Sequence, residues 1–143
     1  MQISIRQIAP SDAEAVTNLA HQLGYPLSVE QILQNIKAIL STSDHDVYVA
    51  AHDNRVVGWV GVCQAILLVS LPYCEINGLV VDEKYRGKGI GKLLIDKAKQ
   101  WGKERENIKL KLRCNVKRTE THLFYQHLGF KDLKKQTNFE IDI

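Results

Sequence analysis

Between Val80 and Leu94 the chain reads V-V-D-E-K-Y-R-G-K-G-I-G-K-L-L, and this run constrains the fold more than any other. An apolar strand ending at Val81 gives way to Gly87, Gly89 and Gly91. Apolar residues then recur at 90, 93, 94, 98 and 101, which is helical spacing. The segment therefore has to pass from strand through a glycine turn into a helix.

Glycines lack Cβ atoms, so the backbone can take positive φ and its N–H groups can converge on one ligand. The helix start adds unpaired donors and the positive end of its dipole. Arg86, Lys88 and Lys92 add full charges, and together these make a place for phosphate. A P-loop is excluded, because Arg86 stands where G-x-x-x-x-G-K-[ST] needs its first glycine and Leu93 stands where it needs a hydroxyl. The dinucleotide fingerprint is excluded too, since the spacing is G-x-G-x-G and no strand with an acidic end follows at the required distance.

The segment resembles the R/Q-x-x-G-x-G/A acetyl-CoA loop of the GNAT N-acetyltransferases, matched here by Arg86, Gly89 and Gly91. The resemblance implies acetyl-CoA as cosubstrate, held by Arg86, Gly87, Lys88, Gly89, Ile90, Gly91 and Lys92. It implies no metal.

Charge is polarised along the 143 residues: 84 to 118 hold 13 basic and 3 acidic groups, whereas 1 to 83 hold 3 and 9. An anionic ligand should meet the central segment and a cationic one the N-terminal half. Lys97, Lys99, Lys103 and Arg105 read as a solvated helix face. Three cysteines without C-x-x-C spacing indicate neither a disulfide framework nor a zinc site, and the five histidines form no H-E-x-x-H. With no signal peptide and no apolar run of transmembrane length, the expected location is cytoplasmic.

Elements follow in a legible order. Ile3 to Gln7 alternates as a strand. Ser11 and Glu14 form an S-x-x-E capping box for a helix burying Val16, Leu19, Ala20 and Leu23, and Gly24 ends it. Ser28 and Gln31 repeat the box for a helix carrying Val29, Ile32, Leu33, Ile36 and Leu40. Asp46 to Ala51 and Val56 to Val69 read as strands joined at His52-Asp53-Asn54-Arg55, and Glu75 to Val81 as a third. Ile108 to Cys114 alternates as a strand, Thr121 to Leu128 is helical and closed by Gly129, and Phe130 to Ile143 supplies one or two final strands. The order β-α-α-β-β-β-α-β-α-β(-β) describes one α/β (α+β) domain over 1 to 143, with about four helices on a mixed sheet of six to seven strands. This order also resembles the GNAT fold.

A second stretch, Asn115 to Phe130, resembles the family's N-x-x-(N/R)-x-x-A-x-x-(L/F)-Y-x-x-x-G-F, with Thr121 in place of the usual alanine. By that match Tyr125 is the general acid for the departing thiolate, and Asn115 and Arg118 contribute to the coenzyme site. A phenol near sulfur can hydrogen-bond to the growing negative charge or give it a proton. On the third strand, simple alternation puts Glu75, Asn77, Leu79 and Val81 on one face. Glu75 resembles the base of some family members, which must take a proton from the substrate ammonium before nitrogen attacks. Asn77-Gly78 suggests a β-bulge. In the family such a bend exposes strand N–H and C=O groups to the pantetheine arm, a role that falls here on Leu79, Val80 and Val81.

These readings describe an enzyme moving acetyl from acetyl-CoA directly to a primary amine of a small molecule or protein. Alternatives are a coenzyme A-binding sensor or inactive subunit, and, with less support, a nucleic-acid-binding module. The basic segment lacks interleaved aromatics and any DNA-binding motif, so neither nucleic acid nor membrane is an expected partner. A homodimer is expected through edge strands at the C-terminus or around Val60 to Val69.

Overall fold

The computed structural model describes residues 1–22, 24–113 and 119–143. Leu23 and the segment 114–118, which holds Cys114, Asn115 and Arg118, lie outside the described residues. The chain divides into two compact units, Met1–Leu112 and Arg113–Ile143.

In the first unit, β1 (Ser4–Gln7), α1 (Ala13–Gln22), α2 (Val29–Leu40), β2 (His45–His52), β3 (Arg55–Ala65), β4 (Tyr73–Val81), α3 (Ile90–Glu104) and β5 (Leu110–Leu112) succeed one another. The strands form one mixed sheet in the order β1-β2-β3-β4-β5, antiparallel except for the parallel β4/β5 pair. α1 and α2 cover one face, where Val16, Leu19, Ala20, Ile32 and Ile36 pack with Val47, Val49, Val56 and Val80. α3 covers the other, burying Ile90, Leu94, Ile95, Ala98 and Trp101. At Gly102 the missing side chain lets α3 close on the sheet, because a Cβ there would meet Cys74 Sγ at 2.5 Å.

α2 starts as its capping box requires, with the Ser28 hydroxyl accepting from the Gln31 amide at 3.1 Å. α1 does not. Pro10 opens a short 3₁₀ turn, and the Asp12 carboxylate accepts from the Ala9 amide at 2.8 Å while also pairing with Arg6 at 2.7 Å. The box is thus framed two residues earlier than Ser11 and Glu14, by Ala9 and Asp12, and its acceptor is a charged carboxylate. The β2/β3 turn is a two-residue hairpin with Asp53 and Asn54 at φ of 49° and 62°, both left-handed as a tight hairpin turn requires.

β3 stops at Ala65 rather than Val69. The following Ile66, Leu67, Leu68, Val69 and Leu71 form an exposed loop, so their apolar character does not mark a strand here. β3 is also interior to the sheet, flanked by β2 and β4, and offers no edge for pairing.

Among the described residues the sheet has five strands, not six or seven. In the second unit α4 (Thr119–His127) ends at Gly129, with φ of 97°, and no strand forms among residues 130–143. The F-E-I-D-I alternation is compatible with a strand, but a strand also needs a neighbouring edge to complete its hydrogen bonds. Phe139, Ile141 and Ile143 are exposed.

Candidate active site

The glycine turn follows β4 directly. Asp82 anchors it: its backbone N–H donates to the Val57 carbonyl at 2.8 Å, and its buried carboxylate accepts from the Lys84 amide at 3.0 Å. A 3₁₀ turn over Glu83–Tyr85 then leads to Arg86 in extended conformation. Gly87 and Gly89 are left-handed, with φ of 76° and 81°, whereas Gly91 is already helical. A Cβ at 87 or 89 would meet nothing within 4 Å, so these glycines are required by backbone conformation and the space before them is open.

Gly89 caps α3 without a side chain, which leaves the first-turn amides facing that space. Arg86 and Lys88 are exposed beside it. Lys92 lies at the same helix start but is paired with Asp96 at 2.8 Å.

The second feature is the edge of β4. On the β3 side it is paired from Tyr73 to Val81; on the β5 side only Cys74, Glu75 and Ile76 find partners among the described residues. Among the described residues the edge from Asn77 to Val81, which includes Leu79, Val80 and Val81, has no strand partner on the β5 side as it runs toward the glycine turn.

The bulge falls at Asn77, as the sequence indicates, and it overturns the simple alternation. Trp59, Gly61 and Cys63 on β3 stand opposite Val80, Gly78 and Glu75. Glu75 therefore shares its face with Gly78 and Val80, the α1/α2 side, whereas Leu79 and Val81 point to the α3 side. One extra residue flips the face of everything beyond it.

Around Glu75 the floor is defined. A Cβ on Gly61 would clash with the Asn77 carboxamide oxygen, and one on Gly78 would meet the Trp59 ring at 2.6 Å. The half-buried Cys63 lies opposite Glu75. Burial first, then the Glu75 charge, push its thiol up, and a hydrogen bond with the Asn77 side chain opposes them.

Tyr125 belongs to the second unit. It is half-buried on α4, with its ring 5.5 Å from Phe124 and 5.8 Å, edge-on, from Phe130, and its carbonyl accepts from the Phe130 amide at 3.1 Å. Asn115 and Arg118 lie outside the described residues. Among the described residues no three His, Cys, Asp or Glu side chains group as a metal site requires, and no helix is long and apolar enough to cross a membrane.

Asp46 and Asp53 are engaged elsewhere than at Glu75. Asp46 accepts from Gln7 at 3.0 Å and from the Tyr48 hydroxyl at 2.9 Å, and burial with this contact pushes the Tyr48 phenol up to about 12. Asp53 sits in the β2/β3 turn beside His52. The helix cations are not all idle either, since Lys97 lies over the Tyr48 ring at 4.8 Å and Arg105 over Trp101 at 3.8 Å.

Sequence reasoning missed Asp82, Tyr85, His52 and Trp59. Asp82 carried a local signal, an acid just before a short turn. The other three act through partners distant in the chain and had none.

Fold and turn define the class: a mixed α/β domain whose fourth strand passes through a glycine turn into a helix. The chain belongs to the Acetyltransferase (GNAT) family, whose pattern matches residues 13–130. An uncharacterized N-acetyltransferase of Chlorobaculum tepidum is 29% identical over 92% of this chain and 77% of its own length. An aminoglycoside N(6')-acetyltransferase type 1 of Stenotrophomonas maltophilia is 24% identical, covering 98% and 94%. The solved structure of AAC(6')-Iy with a bisubstrate analog, CoA-S-monomethyl-acetylneamine, shares the fold with a TM-score of 0.88 at 20% identity, covering all of both chains.

Proposed function

We propose that this protein transfers the acetyl group of acetyl-CoA directly to a primary amine of a small molecule or protein. The observation that carries the reading is the left-handed pair Gly87 and Gly89 at the start of α3, next to a β4 edge that has no strand partner on the β5 side among the described residues. Amides from 86 to 92 would take the pyrophosphate, and Leu79 to Val81 would pair with the pantetheine arm. Arg86 and Lys88 add charge, and Asn115 and Arg118 complete the coenzyme set by resemblance.

In this reading Glu75 takes the proton from the substrate ammonium and Tyr125 returns one to the coenzyme thiolate. Each proton transfer lowers the cost of a charge that develops as nitrogen attacks and sulfur leaves. The dispersal of Asp46 and Asp53 away from Glu75 favours an acceptor recognised through one amine over a densely charged polycation.

The reading includes a cytoplasmic setting, in keeping with Cys63 and Cys74 as free thiols. It also includes a homodimer, supported by the exposed aliphatic loop from Ile66 to Leu71, whose apolar run is what self-association would cover.

The experiment is thermal stabilisation by acetyl-CoA, followed by thiol release across an amine panel. Stabilisation and turnover are expected, with Tyr125→Phe lowering turnover more than binding. Neither stabilisation nor turnover with any amine would end the proposal.

A further inference from the structure

The β2/β3 hairpin reaches the glycine turn through two contacts that no motif records. The first is the Asp82 amide on the Val57 carbonyl, which holds the turn's beginning. Val57 is the extra residue of β3 where the β2/β3 register shifts between Ala50 and Ala51, at the hairpin end of the strand.

The second contact lies three residues on, where the 3₁₀ turn enters the glycines. His52, the last residue of β2, shares a hydrogen bond of 3.3 Å between Nδ1 and the Tyr85 hydroxyl. The two rings also meet edge-on, 5.7 Å apart at 64°. Asp53 stands 3.5 Å from the other imidazole nitrogen, and the left-handed backbone at Asp53 and Asn54 fixes where His52 leaves the strand. Tyr85 is followed at once by Arg86 and Gly87, so the ring gripped by His52 is the last fixed side chain before the free backbone begins.

We propose that His52 is a positioning residue for acetyl-CoA, holding the turn in its coenzyme-binding form through Tyr85. The proposal rests on the coenzyme reading of that turn. A loop with two left-handed glycines has many accessible conformations, and only those with converged amides bind phosphate. Fixing Tyr85 at the entry, with α3 beginning at Ile90 on the far side, removes much of that freedom before the ligand arrives, so binding loses less to ordering. His52 touches neither ligand nor reacting atoms, and its loss should appear in coenzyme affinity rather than in the chemical step.

The test is calorimetric titration of acetyl-CoA into the wild type, His52→Ala, His52→Asn, Tyr85→Phe and the His52→Ala/Tyr85→Phe double variant, with kcat and KM measured on each. His52→Ala is expected to weaken acetyl-CoA binding about fivefold, the change an ordinary hydrogen bond carries. Its kcat at saturating substrates should move less than about twofold. His52→Asn, which keeps a polar atom near the Nδ1 position, should restore most of the affinity, and the double variant should be no worse than the worse single one.

Equal affinity in the wild type and His52→Ala would overturn the positioning role while the coenzyme reading stood. A parallel fall in kcat and affinity that His52→Asn does not repair would overturn it as well, by showing a general structural role. If the wild type binds no acetyl-CoA, the coenzyme reading and this inference fail together.

Discussion

The Trp59 ring fills the space in which a side chain at Gly78 would begin: Cζ3 and Cη2 lie 2.6 Å from the position of a Gly78 Cβ. Gly78 stands opposite Gly61, whose own missing side chain leaves room for the Asn77 carboxamide. Two facing glycines thus let an indole and an amide lie on the sheet surface next to Glu75.

It follows that Gly78→Ala must push the Trp59 ring off the strand. The ring also packs against the core beneath α1 and α2, so it has little freedom to move. The expected loss is about 1–3 kcal/mol, the ordinary range for overpacking. Thermal denaturation reads the loss, and a shift in tryptophan emission reports the displaced indole.

At Gly89 the same substitution acts differently. No atom lies within 4 Å of a Cβ there, but φ is 81°, a conformation that disfavours L-residues by roughly 1–2 kcal/mol. Gly89→Ala is expected to fold, with lowered stability and weakened stabilisation by acetyl-CoA. Gly89→Asp, which adds a negative charge where phosphate should lie, should abolish that stabilisation. If Gly89→Asp is stabilised like the wild type, the coenzyme does not use this turn.

What was legible in the sequence is what depends on local pattern. The glycine turn, the Ser28 cap, the Asp53-Asn54 hairpin and the Asn77 bulge each have a nearby cause in the chain. The face of Glu75 was not legible, although the bulge was, because parity beyond a bulge follows from the cross-strand register. The stretch from Ile66 to Val69 read as strand because apolar and β-branched residues favour it, yet among the described residues no neighbouring strand pairs with them. The pairing of Tyr85 with His52, 33 residues apart, had no sequence signal at all.

Arg6 and Asp12 give the fold an acid-sensitive joint where β1 meets α1. Hydrogen bonds from Arg6 hold the Asp12 carboxyl below its ordinary range, burial opposing and the Ala9 amide assisting. A depressed folded-state value means that the pair's stability is fully present above about pH 4 and is lost as pH falls through that depressed value. Asp12→Asn should cost about 1–3 kcal/mol at neutral pH, since it weakens a charged hydrogen-bond pair at a buried site. The gap between wild type and variant in urea denaturation should narrow as the buffer is taken toward pH 3. A gap that widens on acidification would show that the carboxyl is not held low.

Cys63 offers a chemical probe of the candidate base. Its thiol is pushed up by burial and next by the charge of Glu75 across the strand pair, with the Asn77 hydrogen bond pulling the other way. Replacing Glu75 by Gln removes the negative charge that disfavours the thiolate, so the thiol should ionise at lower pH. Alkylation by iodoacetamide follows the thiolate fraction, and at mildly alkaline pH the Glu75→Gln protein should label at Cys63 roughly threefold faster. Peptide-resolved mass spectrometry separates Cys63 from the other cysteines, and Cys74, on the opposite face, should label at an unchanged rate. Because parity alone decides whether residue 75 faces Cys63, an unaltered Cys63 rate would place the carboxylate on the α3 side and remove Glu75 as the base.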